Sequence, residues 1–72
     1  MLTSDRAVEA ATAFARTLHL ARADFGEMPG LILTPRQAAR LWAADPSVCR
    51  DVLATLVEAK FLVRGGDSFT RA

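Results

Sequence analysis

The chain has few of the residues from which disulfides and metal sites are built. It contains a single cysteine, Cys49, and a single histidine, His19. One cysteine cannot form an internal disulfide, which is typical of proteins in a reducing compartment. A metal site needs three or four ligands, and the sequence has neither a CxxC nor an HxxxH spacing. We therefore predict no disulfide, no metal and no cofactor.

Long apolar runs and a secretion signal are also missing. No apolar stretch approaches the ~18 residues that a membrane span needs. Residues 1–6 mix acidic and basic side chains, and no signal-peptide pattern follows them. The sequence predicts a cytoplasmic protein without a membrane partner.

A large net charge is the third absence. Nine basic residues stand against eight acidic ones, which leaves a net charge of +1 at pH 7. This balance excludes a strongly basic nucleic-acid coat protein and an acidic decoy. All the cations except Lys60 are arginine. Guanidinium groups suit two-point contacts with phosphate or carboxylate, although a GC-rich genome gives the same arginine-rich and alanine-rich composition.

What is present is the composition of one small globular domain over residues 1–72. Hydrophobic residues make up 51% of the chain and charged residues 24%, a balance that argues against disorder. A domain of this size buries only about 60% of its unfolded surface, which leaves little room for a deep enzyme pocket. No spacing brings together a nucleophile, a base and an oxyanion donor, so we do not predict an enzyme.

The first predicted helix spans residues 7–25. Its apolar side chains recur every three or four positions, which is the helical period. Thr3 or Ser4 can cap its start, and Gly26 can end it because glycine adopts the left-handed conformation without steric cost. Its inward side is predicted to carry Ala7, Ala10, Phe14, Leu18, Ala21 and Phe25.

Two further helix starts are marked by a capping residue followed by proline. Residues 34–37 read Thr-Pro-Arg-Gln, a capping box with proline at the first helical position, and predict a second helix over 35–43. Residues 45–46 read Asp-Pro and predict a third helix over 46–60. The inward residues are predicted to be Ala38, Leu41 and Trp42 on the second helix and Val48, Cys49, Val52, Leu53 and Leu56 on the third.

Short strands are predicted on both sides of these two helices. Leu31–Leu33 is too short for a helix and predicts a brief buried strand. Phe61–Arg64 is rich in strand formers, Gly65–Ser68 supplies turn residues, and Phe69–Arg71 can return as a second strand. The predicted fold class is therefore mainly α with a small β-hairpin, in the order α-β-α-α-β-β.

Several segments carry a resemblance to a known family. They are Leu33–Trp42, Asp45–Arg50, Leu53, Leu56–Ala59 and Phe61–Arg64. In this order they resemble a winged helix-turn-helix domain, in which Ala39 stands where the family keeps a small residue at a close helix crossing. The resemblance covers roughly half to two-thirds of the chain. The sequence departs from the family pattern at Ala43 and Lys60, where glycine is common, and at Val48, where a polar residue is usual.

The resemblance implies a small DNA-binding protein, a bacterial transcriptional regulator, with helix 46–60 in the major groove. Of the exposed residues on that helix, Arg50 is able to make a bidentate contact to guanine. The residues implied to face base edges are Ser47, Arg50, Asp51 and Thr55. Those implied to contact phosphates are Arg36, Arg40, Arg64 and Arg71.

The same residues allow other interpretations. The polar side of the third helix carries Arg50 against Asp51 and Glu58 and is slightly acidic, which is also typical of a solvated surface. A winged-helix module that binds or dimerises with proteins, without DNA, therefore remains open. The alanine-rich first helix can pack on a second copy in a two-fold dimer, or its alanines reflect helix propensity alone. The alanines in question are Ala11, Ala13, Ala15 and Ala23.

Overall fold

Three helices are followed by one antiparallel hairpin in the computed structural model, which describes the backbone of residues 4–72 and the side chains of residues 8–72. The elements are α1 (Ser4–Glu27), α2 (Pro35–Trp42), α3 (Pro46–Glu58), β1 (Leu62–Gly65) and β2 (Ser68–Arg71). This confirms a mainly helical fold with a small C-terminal hairpin. The predicted cap at Thr3 or Ser4 and the inward placement of Ala7 lie outside the described residues.

The C-terminal half of α1 packs against the rest of the chain. Ala21 and Phe25 are fully buried, and Phe14 and Leu18 are partly buried against them. Ala10 is exposed, contrary to the prediction. The 24-residue helix is about 36 Å long and exceeds the two shorter dimensions of the molecule, which measures 43 × 22 × 21 Å. Its N-terminal part, which includes Ala10, therefore extends past the residues that could cover it. The helix also continues through Gly26, the predicted stop, to Glu27.

The starts of α2 and α3 follow the predicted capping. The Gln37 N–H donates to Thr34 Oγ1 at 3.2 Å, and the Thr34 N–H donates to Gln37 Oε1 at 2.9 Å, which completes the capping box. The Ser47 N–H donates to Asp45 Oδ1 at 2.8 Å and caps α3. Both prolines lie in the first turn, where a missing N–H is harmless.

A residue with left-handed backbone follows the end of each of these two helices, directly after α2 and two positions after α3. Ala43 has φ 50° and Lys60 has φ 63°, at the two positions where the winged-helix pattern commonly has glycine. In each case the backbone N–H of the next residue donates to the carbonyl five positions earlier. The Ala44 N–H donates to the Ala39 carbonyl at 3.0 Å, and the Phe61 N–H donates to the Leu56 carbonyl at 2.9 Å. This is the Schellman arrangement, so the reversals form without the glycines that usually favour them.

The core lies between the three helices and the inner face of the hairpin. Leu41 is 53% exposed and not inward as predicted. The buried side of α2 runs through Ala38 and Trp42, and Leu41 points about 100° away from Trp42 around this short helix. The buried apolar residues are Ala21, Phe25, Leu33, Ala38, Trp42, Cys49, Val52, Leu53, Leu56, Leu62 and Phe69. Val48 packs partly against them, as predicted.

The predicted strand over Leu31–Leu33 is reduced to one bridge. Leu33 exchanges two backbone hydrogen bonds with Phe69, at 2.8 and 3.1 Å, in an isolated antiparallel bridge. Ile32 is 61% exposed, because adjacent residues in extended chain point to opposite sides. The segment before α2 therefore pairs with the hairpin backbone at a single residue.

The C-terminal hairpin is tighter than predicted. Its strands close on a two-residue loop, Gly66 and Asp67, with Gly65 opposite Ser68. Gly66 has φ 64°, and glycine at the first loop position suits the tight turns that match strand twist.

Within residues 4–72, no helix combines the length and the apolar character needed to cross a membrane.

Candidate anion-binding surface

Two neighbouring clefts lie along α2 and α3. The larger cleft, of about 620 Å³, is open to solvent and is bordered by α3, the start of α2 and the tip of the hairpin. Along α3 its wall follows one side of the helix, at positions three and four apart. Its lining residues are Thr34, Pro35, Arg36, Arg50, Ala54, Val57, Glu58, Arg64, Asp67 and Phe69.

Three arginines from three different elements meet at the larger cleft. Arg36 comes from the first turn of α2, Arg50 from α3 and Arg64 from β1. All three were predicted to contact DNA from sequence, and all three are exposed. Arg64 is held in place because its Nε donates to the Gly66 carbonyl at 3.0 Å and its guanidinium lies 5.9 Å from the centre of the Phe69 ring.

The larger cleft also contains two carboxylates and an apolar floor. Glu58 and Asp67 line it together with the three arginines, which leaves one positive charge in excess. Pro35, Ala54 and Val57 contribute apolar surface, and the Phe69 ring closes the floor with only 7% of that residue exposed. The site thus offers both cations and hydrocarbon to a ligand.

The smaller cleft, of about 540 Å³, is more strongly cationic. Arg36 and Arg40 lie one turn apart on α2, and Arg36 is shared with the larger cleft. The complete lining is Thr34, Arg36, Gln37, Ala39, Arg40 and Pro46, in which there is no carboxylate. The four arginines Arg40, Arg36, Arg50 and Arg64 therefore border one surface beside α3.

The other predicted residues of α3 lie on its exposed side but line neither cleft. The Ser47 hydroxyl donates to Asp45 Oδ1 at 2.7 Å, and the Thr55 hydroxyl donates to the Asp51 carbonyl at 2.8 Å. The Ser47 proton is therefore engaged by the N-cap of α3 and the Thr55 proton by the helix backbone, and each hydroxyl oxygen retains its capacity to accept. Asp51 is exposed, and its carboxylate adds a second acceptor on this side.

Arg71 lies at the base of the hairpin, away from the clefts. Its guanidinium is 4.4 Å from the centre of the Phe61 ring, and the guanidinium of Arg22, from α1, is 5.6 Å from the same centre. Arginine over an aromatic face gains a cation–π attraction. Sequence reasoning missed Arg22, because nothing in the local pattern of α1 indicates proximity to a residue 39 positions later.

Two titratable groups near α3 have shifted acidities. Hydrogen bonds from the Ser47 hydroxyl and backbone N–H hold the pKa of Asp45 below its ordinary value, and the positive charge of Arg50 adds a smaller effect. Burial raises the pKa of the Cys49 thiol, and the nearby Asp45 charge acts in the same direction. Cys49 is fully buried in the core, as predicted.

An apolar row crosses the outer face of the sheet. Thr70 on β2 pairs with Val63 of β1 on one side. The antiparallel Leu33–Phe69 bridge places Ile32 next to Thr70 on the opposite side of β2. Val63 is 47% and Ile32 61% exposed.

The alanines of α1 that were considered for a dimer contact differ in exposure. Exposed are Ala11, Ala15 and Ala23, whereas Ala13 is partly buried.

Comparison with known proteins leaves the surface to be interpreted from its geometry. No protein-family model, no curated protein and no solved structure matches the chain significantly.

Proposed function

We propose that this protein is a small DNA-binding protein of the winged helix-turn-helix type, with α3 inserted in the major groove. The observation that supports this most is the convergence of Arg40, Arg36, Arg50 and Arg64 on one surface beside the exposed side of α3. In this arrangement, helix-borne side chains would reach base edges while flanking arginines hold the phosphates.

The phosphate contacts are expected to be strongest at the smaller cleft. Arg36 and Arg40 face it without a carboxylate in the lining. Guanidinium groups bind phosphate through two parallel hydrogen bonds. Arg64 would add a contact from the hairpin, weakened by the neighbouring Asp67, and Arg71 would add one at the hairpin base.

Base reading would rest on a small set of side chains. Arg50 is the cation on the exposed side of α3 and would make the bidentate contact to guanine. Ser47 and Thr55 would accept rather than donate, since their protons are engaged. Asp51 would accept from the amino group of cytosine. The role that fits such a module is transcription regulation in a bacterial cytoplasm.

Salt-dependent titration tests the proposal. The full chain is titrated against a mixed-sequence duplex, followed by fluorescence anisotropy, between about 50 and 200 mM salt. Replacing both Arg36 and Arg40 by glutamine should weaken binding and flatten the salt slope by about two units, one for each lost phosphate contact. The double variant Arg16→Gln, Arg22→Gln, at two exposed positions on α1 that line neither cleft, removes the same two charges and is the charge-matched control. No binding at the lowest salt, or equal slopes for the two double variants, would overturn the proposal.

A winged-helix module that binds proteins is the second candidate function. The exposed apolar row of Ile32 and Val63 favours it, because apolar side chains grouped on a sheet face are typical of protein contacts. A two-fold dimer through α1 belongs to the same hypothesis. Sedimentation at high concentration tests the dimer, and a monomer would exclude it.

A further inference from the structure

DNA binding leaves one property of the larger cleft without a role. Contacts to phosphate require cations at the surface, and they gain nothing from an apolar floor. Yet Pro35, Ala54, Val57 and Phe69 line the cleft together with the three arginines. A ligand that uses both features must carry a negative charge and a hydrocarbon body.

We propose that the larger cleft binds a small organic monoanion, a carboxylate attached to an apolar, ring-sized body. The volume of about 620 Å³ lies within the range of roughly 300–1,000 Å³ that is usual for small-molecule sites. Such sites combine predominantly apolar walls with a few convergent polar groups, which is the composition found here.

The charge of the lining selects a single negative charge. Arg36, Arg50 and Arg64 attract an anion, whereas Glu58 and Asp67 repel a second one. The excess of one positive charge therefore matches a monoanion and disfavours citrate-like or polyphosphate ligands. Since the cleft is open to solvent, these interactions are screened and the affinity for a small ligand is modest.

The order of residues along α3 orients the ligand. Arg50, Ala54, Val57 and Glu58 follow one another along the cleft wall, at a rise of about 1.5 Å per residue. The carboxylate would lie toward Arg50 and the apolar body over Ala54 and Val57, about 6–10 Å further along the helix. A hydrogen-bond donor at the far end would meet Glu58.

Ligand binding would oppose DNA binding, a consequence that rests on the proposed function. Arg36, Arg50 and Arg64 would serve both the ligand and the DNA. A bound monoanion would occupy these guanidinium groups and lower the affinity for duplex. The cleft would in that case act as a site through which a metabolite-sized acid releases the protein from DNA.

Titration of the full chain with 3-phenylpropionate, observed by NMR of backbone amides, tests the site. The expected dissociation constant is on the order of a few millimolar, given the small size of the probe. The amides of Ala54, Val57 and Phe69 should shift. The neutral 3-phenylpropionamide, at equal ionic strength, should bind several times more weakly because it lacks the charge.

Variants separate a specific site from general attraction. Arg50→Gln should weaken 3-phenylpropionate about fivefold, as expected for the loss of one exposed charge-assisted hydrogen bond. Ala54→Leu should abolish binding by filling the floor, and leucine is tolerated at this exposed helical position. Arg16→Gln should change nothing. Absence of shifts, equal binding of acid and amide, or unchanged binding by Ala54→Leu overturns the inference.

The outcome is separable from that of the DNA experiment. Arg40 lines only the smaller cleft, so Arg40→Gln should weaken duplex binding and leave 3-phenylpropionate binding unchanged. A chain that binds duplex but not the probe keeps the proposed function and loses this site. A chain that binds the probe but not duplex keeps the site and loses both the proposed function and the competition.

Discussion

The indole Nε1 of Trp42 donates a hydrogen bond to the Asp24 carboxylate across 2.8 Å. Asp24 belongs to α1 and Trp42 ends α2, so the bond ties the two helices together. The same indole meets the Phe25 ring edge-on, with centroids 6.3 Å apart and an interplanar angle of 70°. Arg36 in the first turn of α2 and Arg40 in its last turn are exposed, whereas Trp42 is buried, so this contact helps to set where the two arginines face.

Removing that carboxylate should destabilise the fold. Asp24→Ala leaves the partly buried indole N–H without its partner, and we expect a loss of about 1–3 kcal/mol. Urea unfolding followed by the fluorescence of Trp42, the single tryptophan, measures it. Glu27→Ala, at an exposed position on the same helix, should change stability by less than about 0.5 kcal/mol. Equal effects of the two substitutions would contradict the role assigned to the bond.

Glycine at either left-handed helix end should stabilise the protein. Ala43→Gly and Lys60→Gly remove the strain of a Cβ at φ 50° and 63°, and each should gain up to about 1 kcal/mol. Thermal unfolding by circular dichroism shows the change as a higher Tm. Ala54→Gly, in the middle of α3, should cost about 1 kcal/mol instead. A lower Tm for both end variants would argue against the left-handed backbone.

The cap of α3 should make stability sensitive to acid. The hydrogen bonds from Ser47 lower the pKa of Asp45 in the folded state, so the folded protein binds this proton less readily than the unfolded chain. The resulting stabilisation is complete above the ordinary value of 3.8 and is lost as the pH falls through the lowered pKa. Asn also caps helices but does not titrate, so Asp45→Asn should flatten the acid limb of a pH–stability curve. An acid limb of the same steepness in Asp45→Asn and in the unaltered protein would contradict this role of the cap.

The Cys49 thiol should be inert while the protein is folded. It is fully buried, and burial raises its pKa, so the reactive thiolate is both scarce and inaccessible. A disulfide reagent such as DTNB should label the native chain slowly and the urea-unfolded chain at once. Rapid labelling of the native protein would place Cys49 at the surface.

The parts of the fold that were predictable from sequence are those set by neighbouring residues. The capping box at Thr34 and the cap at Asp45 act within three positions, and the helices begin where these residues predict. The exposure of Leu41 and the single bridge at Leu33 depend on which segments pack alongside, and local spacing does not contain that information.

The candidate site was likewise predictable from sequence only in part. The family resemblance implied from sequence that Arg36, Arg50 and Arg64 contact DNA, and all three are exposed. Their meeting at one cleft depends on how α2, α3 and the hairpin turn toward each other, which no short segment encodes. The position of Arg71 over Phe61, with Arg22 on the same ring, is a tertiary contact for the same reason.

The bridge between Leu33 and Phe69 also constrains how the chain folds during synthesis. Leu33 and Phe69 are separated along the chain by both α2 and α3, so the contact cannot form until Phe69 has left the ribosome. Before then, the core-facing side of α3 lacks the hairpin that covers it, and Leu53 and Leu56 are incompletely shielded. Completion of the core is therefore a late, long-range step, and deletion of β2 should leave a chain that populates open, aggregation-prone states.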